Sequence, residues 1–100
     1  MAFLMNYTNG KGANYPESYW RLGWLQLDRS AKIGNVRFDC YFNSAAREAD
    51  AQGNVLECKH YTITEANYDD VFESASDPRE ACYDFAQTFA DDFFAAATNV

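Results

Sequence analysis

YWRLGWLQLD (residues 19–28), RSAKIGN (29–35) and VRFDCYF (36–42) read together as a β-hairpin, and they hold both tryptophans of the chain. The second arm alternates without a break. Val36, Phe38, Cys40 and Phe42 fall on one parity, and Asn35, Arg37, Asp39 and Tyr41 on the other. Successive side chains of a strand point to opposite faces, so one face lies on a core and the other meets water or a partner. The first arm slips phase at Gly23, with Leu22 on one parity and Leu25 and Leu27 on the other. One extra residue at the glycine, a β-bulge, returns all three leucines to one face and sends Trp24 outward.

Upstream of the hairpin, Asn9-Gly10, Gly12, Asn14 and Pro16 crowd a short polar stretch. These turn-formers predict an irregular N-terminal arm over residues 1–18. Its apolar tip (Met1, Phe3, Leu4, Met5) covers either its own core or a neighbouring subunit. Downstream, NSAAREADAQGN (43–54) is polar and ends on Gly53-Asn54, which predicts a long exposed loop with room for one helical turn. A third strand follows from Val55 to Ile63, with Leu56 and Cys58 on one face and Tyr61 and Ile63 on the other.

Two helices close the chain. Thr64 is placed to cap TEANYDDVFES (64–74), in which Tyr68, Val71 and Phe72 make one apolar stripe. Asp77-Pro78-Arg79-Glu80 then supplies an acidic N-cap, proline at the first helical position and glutamate at the third. Cys82, Phe85, Phe89 and Phe93 continue from it as an apolar seam. Asp91 and Asp92 would oppose the C-terminal dipole, so the helix should weaken near Ala90, and one aspartate should recap a final turn over FFAAAT. The expected fold is therefore α+β: a three-stranded antiparallel sheet, the hairpin plus a third strand, covered by two C-terminal helices. It forms a single domain over residues 19–100, and the Phe seam lies on the Val36/Phe38/Cys40/Phe42 face.

One hundred residues bound a single domain, and the 17% of aromatic residues implies a core built from rings with some left for contact. No apolar run is long enough to span a bilayer, and the N-terminus lacks the basic flank and cleavage pattern of a signal peptide. Residues 1–63 carry seven basic and six acidic side chains, and residues 64–100 carry nine acidic ones and only Arg79. The acidic second part argues against nucleic acid and anionic membranes as its partners and suits a basic protein surface. A solvated acidic face is the plainer reading of the same charges.

Candidates for chemistry are few. Cys40, Cys58 and Cys82 are odd in number and widely spaced, which favours free, buried thiols; a Cys40–Cys58 bridge needs their strands to be neighbours. His60 stands two residues from Cys58 on a strand, too far for a thiol–imidazole dyad. The spacing of Cys40, Cys58, His60 and Cys82 matches no zinc clip. Asp69-Asp70 and Asp91-Asp92 are sequence neighbours and diverge on a helix, so neither pair makes an acid/base couple. The expectation is a non-enzymatic protein without catalytic residues, metal site or cofactor. Tyr19, Trp24 and Tyr41, on the outward parity, are the candidate protein-contact residues, together with Phe3 and Leu4 of the arm. Outward rings can also stack bases, but no basic groove accompanies them in the sequence.

NYPESYWRLGWLQLD (14–28), VRFDCYF (36–42), the YTIT…YDDVF segment and ACYDFAQTFADDFFAAATNV (81–100) resemble small proteins encoded among the structural and morphogenesis genes of tailed bacteriophages and prophages. Those proteins end in a helix followed by F-x-x-A-x-[DN]-V; here the ending is Phe94-Ala95-Ala96-Ala97-Thr98-Asn99-Val100, with no proline in the break. The resemblance covers residues 14–100 and implies a structural, protein-binding component of a virion, in the tail, baseplate or fibre region. It implies assembly in the bacterial host cytoplasm, other phage structural proteins as partners, and a homo-oligomer or repeated copies. A capsid decoration protein is the neighbouring expectation. A phage-encoded inhibitor, whose acidic helices mimic DNA before a host nucleic-acid enzyme, is the alternative from another class.

Overall fold

The bulge forms where the parity places it. In the computed structural model, which describes residues 1–73 and 77–100, Leu22 pairs with Phe38 and Trp24 with Arg37, so Gly23 is the extra residue. Leu22 and Leu25 pack against the core while Trp24 is 45% exposed.

The sheet has five antiparallel strands rather than the expected three. They are β1 (Phe3–Thr8), β2 (Asn14–Asp28), β3 (Ile33–Tyr41), β4 (Glu57–Ile63) and β5 (Thr98–Asn99), in the order β4-β3-β2-β1-β5. Residues 1–18 are thus not an arm. Phe3 pairs with Trp20 and Leu4 with Tyr19, and the turn residues Asn9 to Ala13 merely close this first hairpin. Asn9 Oδ1 accepts from the N–H groups of Lys11 and Ala13. Between Met5 and Tyr7 the register slips by one, with Pro16 and Glu17 facing the single Asn6. Proline lacks a donor for the ladder, and a bulge is where a strand tolerates it. Buried Ser18 Oγ donates to the Met5 carbonyl and accepts from Trp20 Nε1, so the polar atoms under this hairpin are satisfied.

All of the helical structure except α1 (Ser44–Ala49) comes after β4. α2 (Glu65–Tyr68) runs into a π-helical turn, π1 (Asp69–Glu73), and α3 (Pro78–Phe85) runs into a second, π2 (Ala86–Ala90). The expected end of the first helix at Ser74 lies outside the described residues. Thr64 takes the cap position of α2 in extended geometry without a side-chain bond. Asp77 caps α3 as read, accepting from the Arg79 N–H with proline at the start. Asp91 is extended and accepts from the Phe93 N–H at 3.0 Å, which begins a turn rather than a helix.

The helices cover one face of the sheet, and the core there is a lattice of rings. Phe3 stacks on Phe94 at 4.5 Å, and Tyr83 meets Phe3 and Phe38 edge-on at 5.1 Å. Offset and edge-to-face contacts suit the ring quadrupoles and add to the burial itself. Two expected members are missing. Phe42 lies just past the end of β3 and is 51% exposed, and Phe89 is 63% exposed. Asp91 is extended and ends the helical spacing, and Phe94 of the turn that follows is completely buried in their stead.

Candidate functional site

The face away from α2 and α3 carries four cross-strand rows, the last of them Gln26, Asn35 and Thr62. Leu4, Tyr19 and Tyr41 form the first; Arg21, Asp39 and Cys58 the second; Trp24, Arg37 and His60 the third. Only the first two rows receive cover at one end, from the segment after β3. Asn43 caps α1 by accepting from the Ala46 N–H, and the chain then turns so that the Tyr41 hydroxyl donates to the Ala51 carbonyl. Trp24, Cys58 and His60 remain exposed.

Gly23 and Asp39 explain each other. A Cβ at Gly23 would fall on the Asp39 carboxylate, so the bare glycine leaves the space that the carboxylate fills. Asp39 is only 5% exposed. It accepts from Arg37 Nε at 2.8 Å and from the Cys58 thiol at 3.4 Å. A buried carboxylate with a guanidinium partner and a further donor is an arrangement that avoids an isolated buried charge. Partial burial, and then the bond to Asp39, raise the Cys58 pKa, so the thiol stays protonated and is a poor nucleophile.

Two cavities meet at the bulge, sharing Arg21, Leu22, Gly23 and Arg47. One, of about 400 Å³, opens toward Arg37 and Tyr41. The other, of about 780 Å³, reaches Trp24, Arg79 and Tyr83 around the edge that β2 leaves free beyond β1. There the Tyr83 hydroxyl accepts from the Leu22 N–H at 2.7 Å. Four of the five arginines, 21, 37, 47 and 79, therefore line these two cavities, together with Asp39 in the first and Asp77 and Glu80 in the second. Neither Arg21 nor Arg47 makes an ion pair among the described residues.

Of the expected contact residues, Leu4, Tyr19 and Trp24 share this face, with Leu4 and Tyr19 half-buried. Tyr41 has the outward parity, but the loop covers it to 4% exposure and withdraws it from contact. Phe3 belongs to the opposite face and is completely buried in the chain's own core. The arginine cluster was not visible in the sequence because charge summed along the chain hides its sorting by face. Arg21 and Arg37 did have outward parity, and that was the available signal.

Cys58 is exposed, contrary to the expectation of buried thiols, while Cys40 and Cys82 are buried. Burial pushes both of these up to about 12. Cys58 pairs with Asp39 and Cys40 with Glu57, so the two thiols face opposite sides of the sheet and cannot be bridged there. No cluster of three or more His, Cys, Asp or Glu side chains suited to a metal occurs among the described residues, and no described helix is long and apolar enough to cross a membrane. What the face offers is an exposed indole beside guanidinium donors, a surface for binding carboxylate-bearing, partly apolar partners. Compared with known protein families, curated proteins and solved structures, the chain finds no match.

Proposed function

We propose that this chain is a non-enzymatic, protein-binding structural component of a tailed-phage particle, in its tail, baseplate or fibre region. The observation that carries the binding part is the open sheet face, where Trp24 stands 45% exposed beside Arg21, Arg37 and Arg47. Tryptophan, tyrosine and arginine are the residues that dominate protein–protein contacts. The arginines select an acidic partner surface among the other particle proteins. Repeated copies are supported by the edges of the sheet: β4 is paired on one side alone, and β2 is unpaired beyond Trp20 on the side of β1. Placement in a phage particle rests on the sequence resemblance, and capsid decoration is its neighbouring form.

The inhibitor reading draws on Asp69, Asp70, Asp84, Asp91 and Asp92. Two of these are already engaged, Asp69 by Lys32 at 2.9 Å and Asp91 by Lys59 at 3.4 Å, which weakens a DNA-like array. Mass spectrometry of purified particles should find the chain at a fixed ratio to the major structural proteins, and Trp24→Ala should deplete it from them. Particles that lack the wild-type chain overturn the reading. Deletion of residues 1–12 is no test of contact, because it removes β1 and the buried Phe3.

A further inference from the structure

The helical layer has an open trough on its solvent side. α2 with π1 lies beside α3 with π2, and between them is a cavity of about 450 Å³. Its apolar surface comes from Val71, Ala81, Phe85 and Phe89, and its rims carry Asp70, Asp77, Glu80 and Asp84. None of these four carboxylates makes an ion pair among the described residues. Both π-helical turns contribute to it: π1 supplies Asp70 and Val71, and π2 supplies Thr88 and Phe89. Phe89, on π2, is 63% exposed and stands against Phe85 at 5.5 Å. π turns recur at functional positions because they re-aim a side chain at a cost to the helix.

We propose that this trough is a docking site for a cationic amphipathic helix of a partner protein. The lining positions on α3 and π2, 80, 81, 84, 85, 88 and 89, with the cap residue 77 before them, are one helical stripe, so the cavity runs along the helix rather than across it. Two helices side by side leave a groove into which the ridge of a third helix fits. An extended peptide would instead need free backbone donors and acceptors, which a strand edge provides and a helical trough does not. Charge chooses the occupant: apolar side chains settle on Phe89, Phe85 and Val71 while flanking lysines or arginines meet Asp70, Glu80 and Asp84. Among the described residues a second copy of this chain does not supply such a helix, because α1 and α3 carry one arginine each and α2, π1 and π2 carry no basic residue. The proposal stands apart from the virion reading, since it concerns what the trough binds and not where the protein resides.

The test is fluorescence anisotropy with three labelled synthetic peptides added to the full chain at physiological salt. The first places leucines at helical spacing with lysines on the other face, the second has the same composition in an order that breaks the period, and the third replaces lysine by glutamate. The first should bind about tenfold more tightly than the second, and the third should not bind. Phe89→Ala, an exposed position whose variant should keep the wild-type melting temperature, should weaken the first peptide about tenfold. Neutralising Glu80 and Asp84 together should weaken it and flatten its salt dependence. Neutralising Glu17 and Glu48, exposed carboxylates outside the trough, makes the same change in net charge and should do neither. Equal binding of the two lysine peptides, indifference to Phe89→Ala, equal effects of the two charge pairs, or no binding by any peptide each overturns the proposal.

Discussion

On the helix side of the sheet, Phe3, Trp20, Phe38 and Phe94 are all at or below 1% exposure and meet ring to ring. On the other side, Trp24 is 45% exposed and its neighbours across the ladder are Arg37 and then His60. The same alternation builds both faces. They differ because the chain after β4 returns over only one of them, bringing Tyr83, Phe85 and Phe94 to close it. The second face receives a short helix and loop that reach Tyr41 and Asp39 and stop. Rings are therefore buried where a second layer arrives and left exposed where none does.

The harshest way to break this contrast is to truncate one ring on each face. Phe38→Ala, completely buried among Phe3, Tyr83 and Phe94, should cost about 3–5 kcal/mol, enough to unfold a domain of this size at ordinary temperature. Trp24→Ala should shift stability by no more than about 0.5 kcal/mol in the same denaturant titration. Equal losses would erase the distinction between a packed and an open face.

The joint between the faces is Gly23. Gly23→Ala drives a methyl group into the Asp39 carboxylate and should cost about 1–3 kcal/mol by denaturant unfolding. Adding Asp39→Ala removes the atoms that clash, so the double variant should lose less than the two single losses combined. Strict additivity would mean that the glycine and the carboxylate do not share one space.

The smallest effect belongs to Asp91, at the seam where β4 meets the end of the helical layer. Partial burial pushes its carboxyl up. The Phe93 N–H, the Tyr61 hydroxyl and the Lys59 ammonium outweigh this and hold it below the ordinary carboxylate range. A depressed folded pKa stabilises the fold above the unfolded value, about 3.9, and that contribution is lost as pH falls through the folded value. Asp91→Asn should thus cost about 0.5 kcal/mol or less near neutrality, as solvent-screened pairs do. Its melting temperature should converge on that of the wild type in acid. A gap that stays constant down to acid pH would remove the carboxylate from this account.

Several features were legible because their causes are local. The Gly23 bulge follows from a parity slip at a glycine, the start of α3 from Asp77-Pro78, and the break after Ala90 from two aspartates at a helix end. β1 was hidden because turn-formers dominate residues 9–16, while the strand beside them is fixed by pairing with residues 14–20. The candidate contact face was half legible for the same reason. Parity places Leu4, Tyr19 and Trp24 on one face, but covering Tyr41 takes the loop to Ala51, and gathering Arg47 and Arg79 with Arg21 takes three separated segments.

The sequence by itself determined the antiparallel hairpin, the bulge, the capped helix and the acidic helical half, since each follows from side-chain periodicity, backbone freedom or charge within a few residues. Tertiary structure alone decided that β1 and β5 complete the sheet, that Phe94 rather than Phe89 fills the core, and that one face stays open. Burial is non-directional and strand pairing is non-local, so several rings could have served as core until the helices and the turn after Asp91 docked on one side.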